Sequence, residues 1–378
     1  MKVLHFIMTY MEGCGNFYYL RKVVNDTALY GIEHLFISYA GGDNVPSDVP
    51  FASMKEICLE RYMNENAPDI VHFHDVFSKY IIEKTNDHET FYKLSKNMPC
   101  IRTIHDYSSI VCPLYFNEGH EKGECRAVLN PSCIDRCIKD TTLYEDYMDY
   151  IKALESYAGI SCFSEDTRKR AEMHNLPASK IYKLPPLIKP PDEYGRAKEN
   201  IILFAGRMVR QKGLEYLFNA LNRLKTKDWV LYVAGEHDAL YYRYLYKMAF
   251  QYGFHNRVNF VGLLPQQRLF ELYRTAKVLA FPSIGHETFG MSGAEASAFG
   301  VPVAAFRVDG VSEWLEDGVN GRIVEFNNID MYADALDEIV GNEEAYSRFR
   351  EGAIAKSRSI DYNGDIKRLA EYYYSFAN

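Results

Sequence analysis

The stretch Ala280–Gly300 reads AFPSIGHETFGMSGAEASAFG. An apolar run ending at Phe281 predicts a buried strand, Pro282 and Ser283 break it, a glycine-containing loop follows, and the Ala-rich segment from Met291 predicts a helix. A strand end leading through a loop into a helix N-terminus offers free N–H groups and the positive end of a helix dipole, which together seat a phosphate. Glu287 in the loop and Glu295 in the helix bracket this seat with seven residues between them. Carboxylates beside a phosphate seat need other partners, and sugar hydroxyls on either side of the phosphates would supply them.

Working outward, the same alternation continues in both directions. Val303–Ala305 predicts the next strand, and helices close the chain after Asp330. Upstream lie a helix over Gln266–Thr275, a strand at Val258–Val261, a helix over Ala239–Tyr252, a strand at Trp229–Ala234, a helix over Leu214–Leu224 and a strand at Ile201–Ala205. Before them, Leu184–Asn200 (LPPLIKPPDEYGRAKEN) holds four prolines among many charges and reads as a linker. The first half repeats the pattern. A strand over Val3–Thr9 enters a loop containing Gly13 and Gly15, and Phe17, Leu20, Val23, Val24 and Ala28 recur at helical spacing. Further strands are expected at Leu35–Ser38, Ile70–His74, Ile101–Asp106 and Gly159–Ser164. Such alternation is the pattern of an α/β protein whose parallel sheets carry ligands at the C-terminal ends of their strands, where His74 and His105 fall. The expected organisation is a domain over 1–185, a linker over 186–199, a second domain over 200–355, and a C-terminal helical segment over 356–378 packing back on the first domain. The cleft between the domains is the expected site.

Composition narrows the class. A chain of 378 residues is long for one core and suits two domains. Hydrophobic content of 47% and charged content of 25% fit a globular protein, and a net charge of −8 argues against nucleic-acid binding. The first strand begins too early for a signal peptide and no apolar run is long enough to span a bilayer, so a cytoplasmic location is expected. The 30 tyrosines, with one cluster at Tyr241–Tyr246, suit half-buried helix faces better than sugar stacking. All eight cysteines precede residue 163, and in a reducing compartment they are not a disulfide framework.

The second domain opens on Gly206-Arg207-Met208-Val209-Arg210-Gln211-Lys212-Gly213, a basic loop between a strand and a helix. Arg207 offers a planar fork and Lys212 a mobile point charge for phosphate oxygens. An isolated loop of this kind is more often solvated. The phosphate seat at Phe289-Gly290-Met291 in the same domain shifts the balance toward a binding role.

Taken together, AGRMVRQKGLEYLFNAL, VNFVGLLPQQRLFELYRTAKVLAFPS and HETFGMSGAEASAFGVPVAAFRVDGVSEWLEDGVNGRIV resemble a glycosyltransferase of family GT4, with the GT-B fold of two Rossmann-like parallel-sheet domains. Glu287 and Glu295 match that family's E-x7-E motif. The resemblance covers the second domain and is thinner in the first, where it rests on the glycine loop, PDIVHFHD, TIHDYS and the strand to Ser164. It implies that Arg207 and Lys212 bind the diphosphate of a nucleotide sugar. Glu295 would then hold the ribose, Glu287 the hydroxyls of the transferred sugar, and the N–H groups of Phe289, Gly290 and Met291 the sugar and its phosphate. Val261, Gly262 and Leu263 would line the base, Gly206 would belong to the donor-binding set, Gly13 and Gly15 would let the first loop approach the diphosphate, and His105 would reach the donor sugar. The family is retaining. No D-x-D motif marks a divalent-ion site, so fixed cations and the helix terminus are expected to replace a metal cofactor.

Cys112, Cys125, Cys133 and Cys137 crowd into one segment. Their spacing is open to a structural zinc site or to free buried thiols, and the segment is similar to a GT4 subset with an HDY…CP…C…C insertion. The expected donor is a UDP-sugar, with a GDP-sugar as the alternative. The expected acceptor is a surface glycan or lipid-linked saccharide, which would favour peripheral association with the inner membrane face, or else a small soluble hydroxyl compound. A GT-B-like epimerase or phosphorylase should lack the pairing of R-x4-K-G with E-x7-E. A silent sugar-nucleotide binder has no reason to keep every one of these positions.

Overall fold

The computed structural model describes residues 1–7, 15–38, 50–54, 56–74, 94, 96–106, 155–173, 176–197 and 199–377. Cys112, Cys125, Cys133, Cys137 and Gly13 lie outside the described residues. The chain divides into two units, Met1–Leu187 with Asn363–Asn378, and Ile188–Tyr362.

The first unit carries strands β1 (Lys2–Ile7), β2 (Glu33–Ser38), β3 (Phe51–Ser53), β4 (Ile70–Phe73), β5 (Cys100–Thr103), β6 (Gly159–Cys162) and β7 (Ile181–Lys183). They form one sheet in the order β3-β2-β1-β4-β5-β6-β7, with every pair parallel. Helices α1 (Gly15–Thr27), α2 (Leu59–Asn66) and α3 (Glu165–Met173) belong to it, and Gly15 is the first residue of α1. Strands β4, β5 and β6 are buried at every position, as expected when helices cover both faces of a parallel sheet. The C-terminal helix Tyr362–Tyr374 completes this core: Tyr373 is fully buried and its hydroxyl meets His72 Nδ1 at 2.9 Å, 301 residues away in sequence.

The second unit carries β8 (Ile201–Ala205), α4 (Leu214–Arg223), β9 (Val230–Ala234), α5 (Ala239–Gln251), β10 (Val258–Gly262), α6 (Gln266–Thr275), β11 (Val278–Phe281), α7 (Met291–Ala298), β12 (Val303–Phe306), β13 (Gly321–Val324), α8 (Ile329–Gly341) and α9 (Glu343–Arg358). Its six strands are parallel in the order β10-β9-β8-β11-β12-β13. Helix α4 buries Leu214, Leu217, Phe218 and Leu221 against this sheet, the spacing of one helical face. The break expected at residue 355 falls inside α9, which is started by the Asn342 side chain accepting from two N–H groups and is held in the second core by Ala345, Tyr346 and Phe349. The second unit therefore runs on to Tyr362.

Strand order decides where each unit can bind. In the second unit the chain lays β9 and β10 on one side of β8, then returns to place β11 on the other. The switch point is between β8 and β11, and the crevice beyond the carboxyl ends of such a pair is the binding position of an open α/β sheet.

Candidate active site

Two loops leave the switch point, 206–213 after β8 and 282–290 after β11. They are clamped together through the Gln211 carbonyl, which accepts from the N–H groups of Ile284 at 2.9 Å and Gly285 at 3.0 Å. Gly213 permits the close approach: it sits at φ +72°, and a Cβ there would lie 1.9 Å from the Pro282 carbonyl oxygen. Substituting Gly213→Ala should lower the unit's stability by at least ~1–2 kcal/mol, the cost of the left-handed backbone alone, and calorimetry should show the drop in midpoint. An unchanged midpoint would mean the loops are not locked here.

The clamp brings together two residues expected to act separately. Lys212 Nζ lies 2.5 Å from Glu287 Oε1, and the Ser283 hydroxyl donates to the same oxygen at 2.5 Å. Side-chain exposure is 26% for Lys212 and 12% for Glu287, so this pair is substantially shielded from solvent. The Glu287 backbone carbonyl accepts the Gly310 N–H at 2.9 Å, which fixes the loop from its other side.

After Glu287 the chain turns inward. Thr288 and Phe289 are buried, and the Phe289 carbonyl accepts the indole N–H of Trp314 at 2.6 Å. Gly290 caps α7 at φ +86°, where a Cβ would press on the rings of Phe281 and Trp314 at 2.9 and 3.3 Å. Met291 and Glu295, four residues apart, lie on one face of α7. Tyr273 donates to the Ser292 carbonyl at 3.3 Å, and burial, with the Glu295 charge as the lesser cause, holds its phenol neutral and well above the usual range. Arg207 is exposed directly after Gly206 and makes no ion pair among the described residues.

The expected base-lining residues stand further along the sheet. Gly206 donates to the Ala234 carbonyl at 2.9 Å, and Gly235 donates to the Gly262 carbonyl at 2.8 Å, tying the ends of β8, β9 and β10 in a row. Val261 is half-buried and Leu263 is 49% exposed beyond that row. Two residues without an assigned role in the sequence also lie here: His286 Nδ1 contacts the Asp309 carboxylate, with both side chains 16% exposed. A histidine beside Glu287 was visible in the sequence, but nothing local pairs it with an aspartate from the loop after β12.

His105 lies in the first unit, just past β5, with Nε2 2.9 Å from His74 Nδ1. His74 follows β4, and four of the five histidines in this region, His5, His34, His72 and His74, are buried. Burial pushes His5, His72 and His74 well below the usual imidazole range and His34 to about 4. Burial and the nearby Arg102 charge bring His105 to about 3.

Residues 190–356 match the family model "Glycosyl transferases group 1". An uncharacterized glycosyltransferase of Methanocaldococcus jannaschii is 36% identical over 145 residues, 38% of this chain and 36% of that protein. A D-inositol 3-phosphate glycosyltransferase of Nocardia farcinica is 30% identical over 229 residues, 56% of this chain and 51% of that protein. The matches thus span about half or less of those relatives' length. Among solved structures, Anabaena HepE in complex with UDP and glucose superposes with a TM-score of 0.74 at 16% identity, covering 99% of this chain and 100% of that one. WaaG, a glycosyltransferase involved in lipopolysaccharide biosynthesis, gives 0.73 at 15% identity over 98% of this chain and 99% of that one. At such identities the likeness shows the fold, two parallel-sheet α/β domains of the GT-B type. In sequence, the likeness to glycosyl transferases group 1 lies over residues 190–356.

Proposed function

We propose that this protein is a retaining glycosyltransferase that moves a sugar from a nucleotide diphosphate to a hydroxyl acceptor. The observation that carries the reading is the Lys212–Glu287 pair, with Ser283, at the switch point of a group 1 domain. A departing diphosphate needs positive charge where its own charge develops. Arg207, Lys212 and the N-terminus of α7 supply it, and no divalent ion is required. In the free protein Glu287 occupies Lys212. On donor binding the diphosphate takes over Lys212, and Glu287 turns to the hydroxyls of the transferred sugar. Glu295, on the Met291 face of α7, accepts from the ribose. Glu287 is then a positioner and no carboxylate serves as a double-displacement nucleophile, so transfer proceeds on the front face with the leaving phosphate oxygen assisting the acceptor's proton.

The UDP and UDP-glucose complexes of Anabaena HepE favour a UDP-sugar as the donor. A cell-surface glycan or lipid-linked saccharide is the favoured acceptor class. Among the described residues no helix is long and apolar enough to cross a membrane. A thermal-shift panel of UDP-, GDP- and ADP-sugars, followed by acceptor-free donor hydrolysis with the best of them, tests the reading. One nucleotide class should raise the midpoint by mass action. Its sugar should be released equally well in excess chelator, and released with retained anomeric configuration. Absence of any shift, or an obligatory Mg²⁺ or Mn²⁺, would overturn it.

A further inference from the structure

The first unit holds a chain of side-chain hydrogen bonds that the transfer reaction, as proposed above, does not explain. Thr27 Oγ1 is 2.8 Å from His34 Nε2, His34 Nδ1 is 2.8 Å from His5 Nε2, His5 Nδ1 is 2.8 Å from His74 Nε2, and His74 Nδ1 is 2.9 Å from His105 Nε2. The links come from α1, β2 and β1 and from the ends of β4 and β5, neighbours in helix and sheet. Thr27, His34, His5 and His74 are all buried.

A neutral imidazole carries one N–H and one lone pair, so a chain of such rings must run in one direction throughout. Thr27 sets that direction. Its oxygen is also 2.6 Å from the Val23 carbonyl oxygen, one turn back in α1, and that carbonyl can only accept. The single hydroxyl proton of Thr27 therefore points at Val23, and toward His34 the threonine can only accept. His34 must donate from Nε2, and each ring after it must do the same. We propose that Thr27, His34, His5 and His74 are positioning residues, a one-way relay that holds His105 as the Nε2–H tautomer with its lone pair on Nδ1. The consequence for the reaction rests on the reading of His105 as a donor-sugar contact: the relay fixes which of its two ring nitrogens carries the proton when the sugar is bound.

A metal site is the competing use of these rings, because nitrogen atoms of His5, His72 and His74 lie within 4.8 Å of one another. Each of those rings is already engaged at both nitrogens, His72 by Tyr373 at 2.9 Å and Thr103 at 2.7 Å. A cation would have to break this set.

Long-range ¹⁵N–¹H spectra of ¹⁵N-histidine-labelled protein decide the point. The wild type should show His34, His5, His74 and His105 all protonated at Nε2, and Thr27→Ser, which keeps the hydroxyl, should match it. Thr27→Val removes the acceptor at the far end, and His105 should shift measurably toward the Nδ1–H form although it does not touch residue 27. A wild-type His105 protonated at Nδ1, a Thr27→Val spectrum with His105 unchanged, or joint shifts of His5, His72 and His74 on adding Zn²⁺ would each overturn the relay. Transfer kinetics separate the two readings. If Thr27→Val moves the His105 tautomer and leaves KM and kcat untouched, the relay stands and the donor-contact reading falls.

Discussion

Acid should unfold the first unit steeply. His5, His34, His72, His74 and His105 all have imidazole pKa values held below the ordinary value near 6.5, with burial as the leading cause. A depressed folded pKa means that the unfolded chain binds more protons than the native one between the folded value and about 6.5. Stability from these groups is therefore intact above about pH 6.5 and falls as the pH drops through that window. Near pH 5 these five rings are mostly neutral when folded and mostly charged when unfolded, so the loss is on the order of 5 kcal/mol per pH unit. Against a total of roughly 5–15 kcal/mol for a typical domain, the transition should be over within about one to two pH units. Urea titrations at stepped pH, read by a probe in the first unit, measure the slope. Uptake of one proton or fewer on unfolding near pH 5 would show that the cluster is charged or solvated in the native state. His34→Gln, which removes one of these titrating rings, should lower the uptake by about one.

Glu287→Gln should separate binding from turnover. The substitution keeps shape and one acceptor but removes the charge that occupies Lys212. If Lys212 serves the diphosphate, freeing it should leave nucleoside diphosphate binding as tight as before or a few-fold tighter, the scale of a partly exposed ion pair. Turnover should fall by about 10²–10³, the range for losing one charge-assisted contact that matters at the transition state. Lys212→Met should weaken both binding and turnover. Isothermal titration with the diphosphate that stabilises the protein best, beside initial rates, gives both numbers. A parallel loss of binding and turnover in Glu287→Gln would make the glutamate a structural brace for the loop, and a covalent sugar on Glu287 would make it a nucleophile.

These predictions draw unequally on what was legible in the chain. The second unit was readable because its signals are local. Helix Gln266–Thr275 carries Leu269, Phe270, Leu272 and Tyr273 at helical spacing, and the strand ending at Phe281 is stopped by Pro282. Strands Phe51–Ser53 and Ile181–Lys183 were not readable, since three residues carry no period and exist as strands only by pairing with β2 and β6. Among the candidate residues, the spacing of Glu287 and Glu295 needs nothing beyond one loop and one helix. The bond between Lys212 and Glu287 spans 75 positions and depends on the Gln211 carbonyl and on Gly213 bringing two loops into contact.

By itself the sequence determined the alternation of strand and helix, the residue types at the strand ends and the glycine turn into α7, because backbone propensity and apolar period act over a few residues. Tertiary structure alone decided which loops meet at a switch point, that Lys212 and Glu287 neutralise each other, and that isolated histidines on separate strands join in one hydrogen-bonded chain. Each of those outcomes rests on strand order and parallel register. Both are set by which apolar faces can be buried together, a condition satisfied only when the whole sheet has formed.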